Sequence, residues 1–71
     1  MFPVTPTIEL NGKPHAIAEG ATVRDLLEAL GLTAQPAAVE VNRVLVPRRE
    51  HERRVLQPGD RVEVVTLVGG G

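Results

Sequence analysis

Arg61-Val62-Glu63-Val64-Val65-Thr66-Leu67-Val68 runs directly into Gly69-Gly70-Gly71, and this stretch decides the fold. Residues 61–68 are rich in β-branched side chains and alternate with a period of two, the pattern of a strand. Val62 and Val64 share the face expected to turn inward, while Val65 and Leu67 fall on the opposite phase. A strand with apolar groups on both faces belongs in the middle of a sheet. Its second face is then either capped by a loop, or ordinary exposed apolar surface, or a patch where partners dock, for which Val65, Leu67 and Val68 are the candidates. Glycine lacks a Cβ, so a triglycine end can thread a channel too narrow for any side chain. Such a tail suits a carboxylate, that of Gly71, which must enter another protein's active site, with Gly69 and Gly70 as the threading spacer. The competing reading of three terminal glycines is a frayed end.

Upstream of this strand, Pro58-Gly59-Asp60 is a turn and Val55-Leu56 returns to the core. Residues 48–54 are nearly all charged and are expected to form an exposed loop or a single helical turn. Val39-Glu40-Val41 and Val44-Leu45-Val46 make a hairpin around Asn42-Arg43, stopped by Pro47. Thr22 with Asp25 is a short-armed capping box that starts a helix of about ten residues at Val23. Val23, Leu26, Leu27 and Leu30 form one apolar stripe, and Gly31 supplies the left-handed cap. Nearer the start, Thr7-Ile8-Glu9-Leu10, Asn11-Gly12 and residues 15–18 read as a hairpin, because Asn-Gly is the favoured type I′ pair. Pro14 cannot donate to a ladder and marks the start of an edge strand. One helix among five strands gives an α+β domain, and the long crossover allows the first and last strands to pair in parallel at the centre. That is the β-grasp fold: a mixed sheet of about five strands gripping one helix, with a flexible C-terminal glycine tail.

Composition narrows the function. The 71 residues make one domain, 1–71, near the lower size at which an apolar core suffices without disulfides or metal. The absence of Cys removes disulfide and thiolate-zinc chemistry and fits a reducing, cytoplasmic setting. No segment has the length of a membrane span and the start lacks a signal-peptide pattern. A net charge of −1 and a single aromatic residue, Phe2, argue against nucleic-acid partners. Without Ser, Cys or Tyr, few side chains remain that serve as covalent nucleophiles, so an enzyme is not expected and no catalytic residue is assigned. His15 and His51 lie on separate elements, which gives no basis for a metal site. Arg48, Arg49, Arg53 and Arg54 alternate with Glu50 and Glu52, so most of their field cancels and a solvated loop is expected. Lys13 is the single lysine, which leans toward a carrier over a polymerising tag.

These pieces together resemble a known family. The C-terminal run with Leu56-Gln57-Pro58-Gly59-Asp60 before it, Val41-Asn42 with Val46-Pro47-Arg48, and Asn11-Gly12 with Gly20-Ala21-Thr22-Val23 are similar to ThiS, the ubiquitin-like sulfur carriers of thiamin thiazole biosynthesis. The resemblance covers essentially the whole chain and implies a single sulfur-carrier domain whose residues 67–71 are an extended tail. It implies that a ThiF-like adenylating enzyme, using ATP and magnesium, activates the Gly71 carboxylate, and that no cofactor is bound by the carrier itself. A cysteine desulfurase or sulfurtransferase would then supply sulfur as a persulfide. The resulting C-terminal thiocarboxylate would pass its sulfur to thiazole synthase, ThiG. Related carriers that serve molybdopterin synthesis or tRNA thiolation share the fold and the glycine end, and a non-catalytic ubiquitin-like interaction module remains the alternative from another class.

Overall fold

The computed structural model describes residues 5–67. Its elements follow in the order β1 (Thr7–Leu10), β2 (Lys13–Ala16), α1 (Val23–Ala29), β3 (Ala37–Val41), β4 (Val44–Val46), a 3₁₀ turn (Arg48–Glu50) and β5 (Arg61–Thr66). The five strands form one sheet in the spatial order β2-β1-β5-β3-β4. β5 lies at its centre, parallel to β1 through Glu9↔Arg61 and Leu10↔Val62, and antiparallel to β3 through five residue pairs from Ala37↔Thr66 to Val41↔Val62. The expected α+β grasp and its central parallel pair are therefore present.

Local chemistry explains both hairpins. Asn11 and Gly12 sit at φ 49° and 85°, the two positive values that a type I′ turn requires. β2 begins two residues earlier than residues 15–18 suggested, and Pro14 lies within the strand opposite Glu9. Glu9 sends its N–H the other way, to the Asp60 carbonyl at 2.9 Å, so the Glu9–Pro14 rung carries no hydrogen bond and the missing proline donor faces the open edge. Ile17, just past the strand, is buried, and its N–H reaches the Pro6 carbonyl at 2.9 Å.

The second turn is built differently. Asn42 and Arg43 take φ 53° and 69°, so an arginine with its Cβ occupies the left-handed region where glycine is the usual resident. Relief of that strain, about 1–2 kcal/mol, outweighs the roughly 0.5–1 kcal/mol of added chain entropy that glycine brings to the unfolded state. Arg43→Gly is expected to raise the melting temperature by about 2–8 °C in a thermal scan. A lower melting temperature would show that the turn is not strained.

Helix α1 has a fully partnered start. Thr22 Oγ1 accepts from the Asp25 N–H at 3.1 Å and the Thr22 N–H donates to Asp25 Oδ2 at 2.9 Å. The two remaining free donors of the first turn, Val23 N–H and Arg24 N–H, reach the carbonyls of Arg54 and His51, each at 2.9 Å. Residues 48–54 hold the expected single helical turn, at Arg48–Glu50, and Arg48, Arg49, Glu52 and Arg53 are exposed as expected. What the pattern did not show is that the backbone of this segment seats the helix and that His51 is buried, with Nε2–H donating to the Val46 carbonyl at 3.0 Å. At the other end, Gly31 N–H to Glu28 and Leu32 N–H to Leu27 form a Schellman motif at φ 71° for Gly31. This closes the helix after seven residues, shorter than the ten expected.

The apolar stripe Val23, Leu26 and Leu27 is buried against Ile8, Val39, Val41, Val46, Leu56, Val62 and Val64. Leu30 and Leu32 pack partly against the same cluster. Val55 does not return to the core with Leu56; it forms an isolated bridge to Thr22 and stays exposed.

Candidate functional site

The site is built on β5, and two asparagines fix that strand in place. Asn11, from the β1–β2 turn, donates its N–H to the Val62 carbonyl at 2.9 Å, and its side chain brackets Val64, accepting from the N–H at 2.9 Å and donating to the carbonyl at 3.3 Å. Asn42, from the β3–β4 turn, works from the opposite flank: its N–H donates to the Arg61 carbonyl at 2.7 Å and its Oδ1 accepts from the Arg61 N–H at 2.9 Å. Asn42 Nδ2 also donates to Asp60 Oδ1 at 3.0 Å, while Asp60 Oδ2 accepts from Gln57 N–H at 2.8 Å. The buried Asp60 carboxylate is thus satisfied, and it fastens the turn that launches β5. Nothing in the sequence pattern announced these side-chain stitches; an asparagine at the first position of each turn was their one signal.

Alternation then sorts β5. Val62 and Val64 point into the core, whereas Arg61, Glu63 and Val65 point outward and Leu67 continues that phase. Val65 is 57% exposed and Leu67 55%, so no described loop caps this face. Val65 stands opposite Ala38, Glu63 opposite Glu40, and Glu40 opposite Leu45. Leu45 is also exposed, which extends the apolar surface across three strands. The sequence pattern singled out Val65 and Leu67 but missed Ala38 and Leu45, whose place beside them depends on strand register.

Leu67 leaves the sheet with its N–H still held by the Pro36 carbonyl at 2.9 Å. The remaining candidates, Val68, Gly69, Gly70 and Gly71, lie outside the described residues, as does most of the expected 67–71 tail.

Elsewhere the charged groups are modest. Arg61 Nε bonds Glu9 Oε2 and Arg24 Nε bonds Glu28 Oε1, each at 3.0 Å and each substantially exposed, so neither adds much stability. Arg24, Arg48, Arg49 and Glu52 border an open cleft on the helix side. His15 and His51 stay apart, on β2 and beneath β4, and no group of three potential metal-ligating side chains assembles among the described residues. No described helix is long and apolar enough to cross a membrane.

Comparison with known proteins agrees with this geometry. The family model described as the ThiS family matches residues 8–71. A sulfur carrier protein ThiS from Thermus thermophilus is 40% identical over 62 residues, covering 87% of this chain and 95% of that protein. A thiazole synthase from Magnetococcus marinus is 44% identical over 64 residues, covering 90% of this chain but only 20% of that longer protein. The crystal structure of a thiamine biosynthesis protein (ThiS) from Geobacter metallireducens aligns with a TM-score of 0.77 at 34% identity, over 92% of this chain and 99% of that one.

Proposed function

The chain belongs to the ThiS family and is a sulfur carrier protein of thiamin biosynthesis, and from that premise we propose that Gly71 is where the sulfur is held. A carboxylate is a poor acyl donor until one oxygen becomes a good leaving group. A ThiF-like enzyme supplies this by letting the Gly71 carboxylate attack the α-phosphate of ATP, with magnesium on the phosphates and pyrophosphate as the group expelled. The persulfide of a cysteine desulfurase or sulfurtransferase then attacks the acyl adenylate and releases AMP. A thiol attacks the donor-cysteine sulfur of the resulting acyl disulfide, which leaves a thiocarboxylate on Gly71 and joins that thiol to the donor cysteine as a disulfide. A second thiol then exchanges with this disulfide, freeing the donor cysteine and leaving the two thiols oxidised to each other. Thiazole synthase takes the sulfur, and the carboxylate returns. ATP and magnesium belong to the activating enzyme, and the carrier is a substrate in each step, not a catalyst.

The observation that carries this reading is the seating of β5. The sequence Gly69-Gly70-Gly71 continues from the strand held by ladders on both sides and by Asn11 and Asn42, so a well-anchored body would present a slender end. The apolar face formed by Val65 and Leu67, with Val68 following, is where the partners grip. That thiazole synthase is one of them draws support from the Magnetococcus marinus protein, in which a region similar to this chain forms part of the synthase itself. The open face alone would also serve an interaction module with an idle tail.

One experiment separates the two. Intact mass spectrometry after incubation with ATP, magnesium, the adenylating enzyme and a persulfide donor is expected to show one terminal oxygen replaced by sulfur. The same chain extended by one residue after Gly71 is expected to stay unmodified. Equal modification of both chains, or of neither, refutes the assignment.

A further inference from the structure

Glu40 and Glu63 face each other across β3 and β5 on the open side of the sheet, an arrangement that isolated sheets avoid because like charges directly opposite repel. Asn42 N–H donates to the Arg61 carbonyl, and narrow and wide rungs alternate in an antiparallel ladder. Glu40 and Glu63, two residues along each strand, therefore form a hydrogen-bonded pair with Cα atoms about 5.5 Å apart. Among the described residues neither carboxylate has a cationic partner: Arg61, two residues from Glu63 on the same face, is drawn off to Glu9. Ala38 and Val65 form the next pair toward the glycine end, with Leu67 beyond, and Leu45 flanks Glu40. Two uncompensated carboxylates thus sit beside an exposed apolar surface that leads to the working end of the chain.

We propose that Glu40 and Glu63 form a two-carboxylate socket for a basic side chain of thiazole synthase, an arginine by preference, inserted beside the apolar surface of Ala38, Leu45, Val65 and Leu67. The inference rests on the reading that thiazole synthase is a partner. A planar guanidinium can donate to both carboxylates at once, which an ammonium does less well. Docking would remove the repulsion and cover the apolar surface together, so the charge pair costs the free carrier stability and gives the complex orientation. The partner surface it fits is a cation surrounded by apolar groups; an acidic or wholly apolar surface would leave both carboxylates desolvated and unpaired.

The test uses the full chain and its cognate thiazole synthase, with affinity measured by calorimetry over a salt series and the melting temperature of the free carrier measured alongside. Glu40→Gln/Glu63→Gln is expected to raise the melting temperature, weaken binding roughly tenfold or more and flatten the salt dependence. Opposite signs for stability and affinity are not expected of a merely structural pair. Glu52→Gln, on the helix side, is expected to change neither. If the wild-type carrier binds and the double variant matches it in affinity and salt slope, the socket is overturned while the partner stands. If the wild-type carrier binds the synthase neither as carboxylate nor as thiocarboxylate, both the socket and the partner assignment fall.

Discussion

Gly70→Val is expected to reduce ATP–pyrophosphate exchange with the adenylating enzyme by at least about 100-fold while leaving the melting temperature of the carrier unchanged. Valine adds two methyl groups to a Cβ that glycine lacks and confines the backbone to the extended region. A channel that admits a bare backbone has no space for them, and a displacement of the reacting carboxylate by about 1 Å is enough for a loss of that size. The effect equals roughly 2.7 kcal/mol of lost transition-state stabilisation. The ladder of β5 ends at Thr66 and the substitution lies downstream of it, which is why the fold is expected to survive. Full exchange by the variant would remove the threading argument. Should the variant also melt early, Gly70→Ala, with one methyl, separates obstruction from misfolding.

Leu26→Ala is expected to cost about 3 kcal/mol and to lower the melting temperature by roughly 12–24 °C. Leu26 is 2% exposed at the centre of α1, the one α-helix among the described residues, and its truncation would leave a cavity between α1 and the sheet. A domain of this size holds roughly 4–11 kcal/mol in total, so one cavity removes a large share of it. An isolated seven-residue helix is far below the length that persists in water, so this packing is what maintains it. A urea titration should show a lower midpoint with an unchanged slope; a loss under about 4 °C on heating would mean that the helix is not clamped by its stripe.

What the sequence disclosed and what it withheld differ in range along the chain. The Asn11-Gly12 turn, the Thr22–Asp25 box, the Val23-Leu26-Leu27 stripe and the inward phase of Val62 and Val64 are all specified within a few residues, and each occurs as expected. Features that depend on distant partners were hidden. His51 reads as one more polar residue in a charged run, and its burial follows from carbonyls that seat a helix nearly thirty residues earlier in the chain. Val55 reads as core because it adjoins Leu56, yet its bridge to Thr22 turns it outward. Glu40 and Glu63 become neighbours only once the register between β3 and β5 is known. Of the described part of the candidate site, the Val65–Leu67 phase was legible, while the breadth of the face around it was not.

The central place of β5 has a mechanical consequence. An end gripped inside a foreign channel transmits traction to whatever strand it leaves, and here that strand is bonded to β1 on one edge and β3 on the other. Tension along its axis is shared as shear over both rows of rungs at once, instead of peeling them apart singly as it would from an outer strand. If Gly71 is loaded as proposed, the body would be tugged during loading and unloading without unravelling, and one small carrier would serve repeated rounds of delivery.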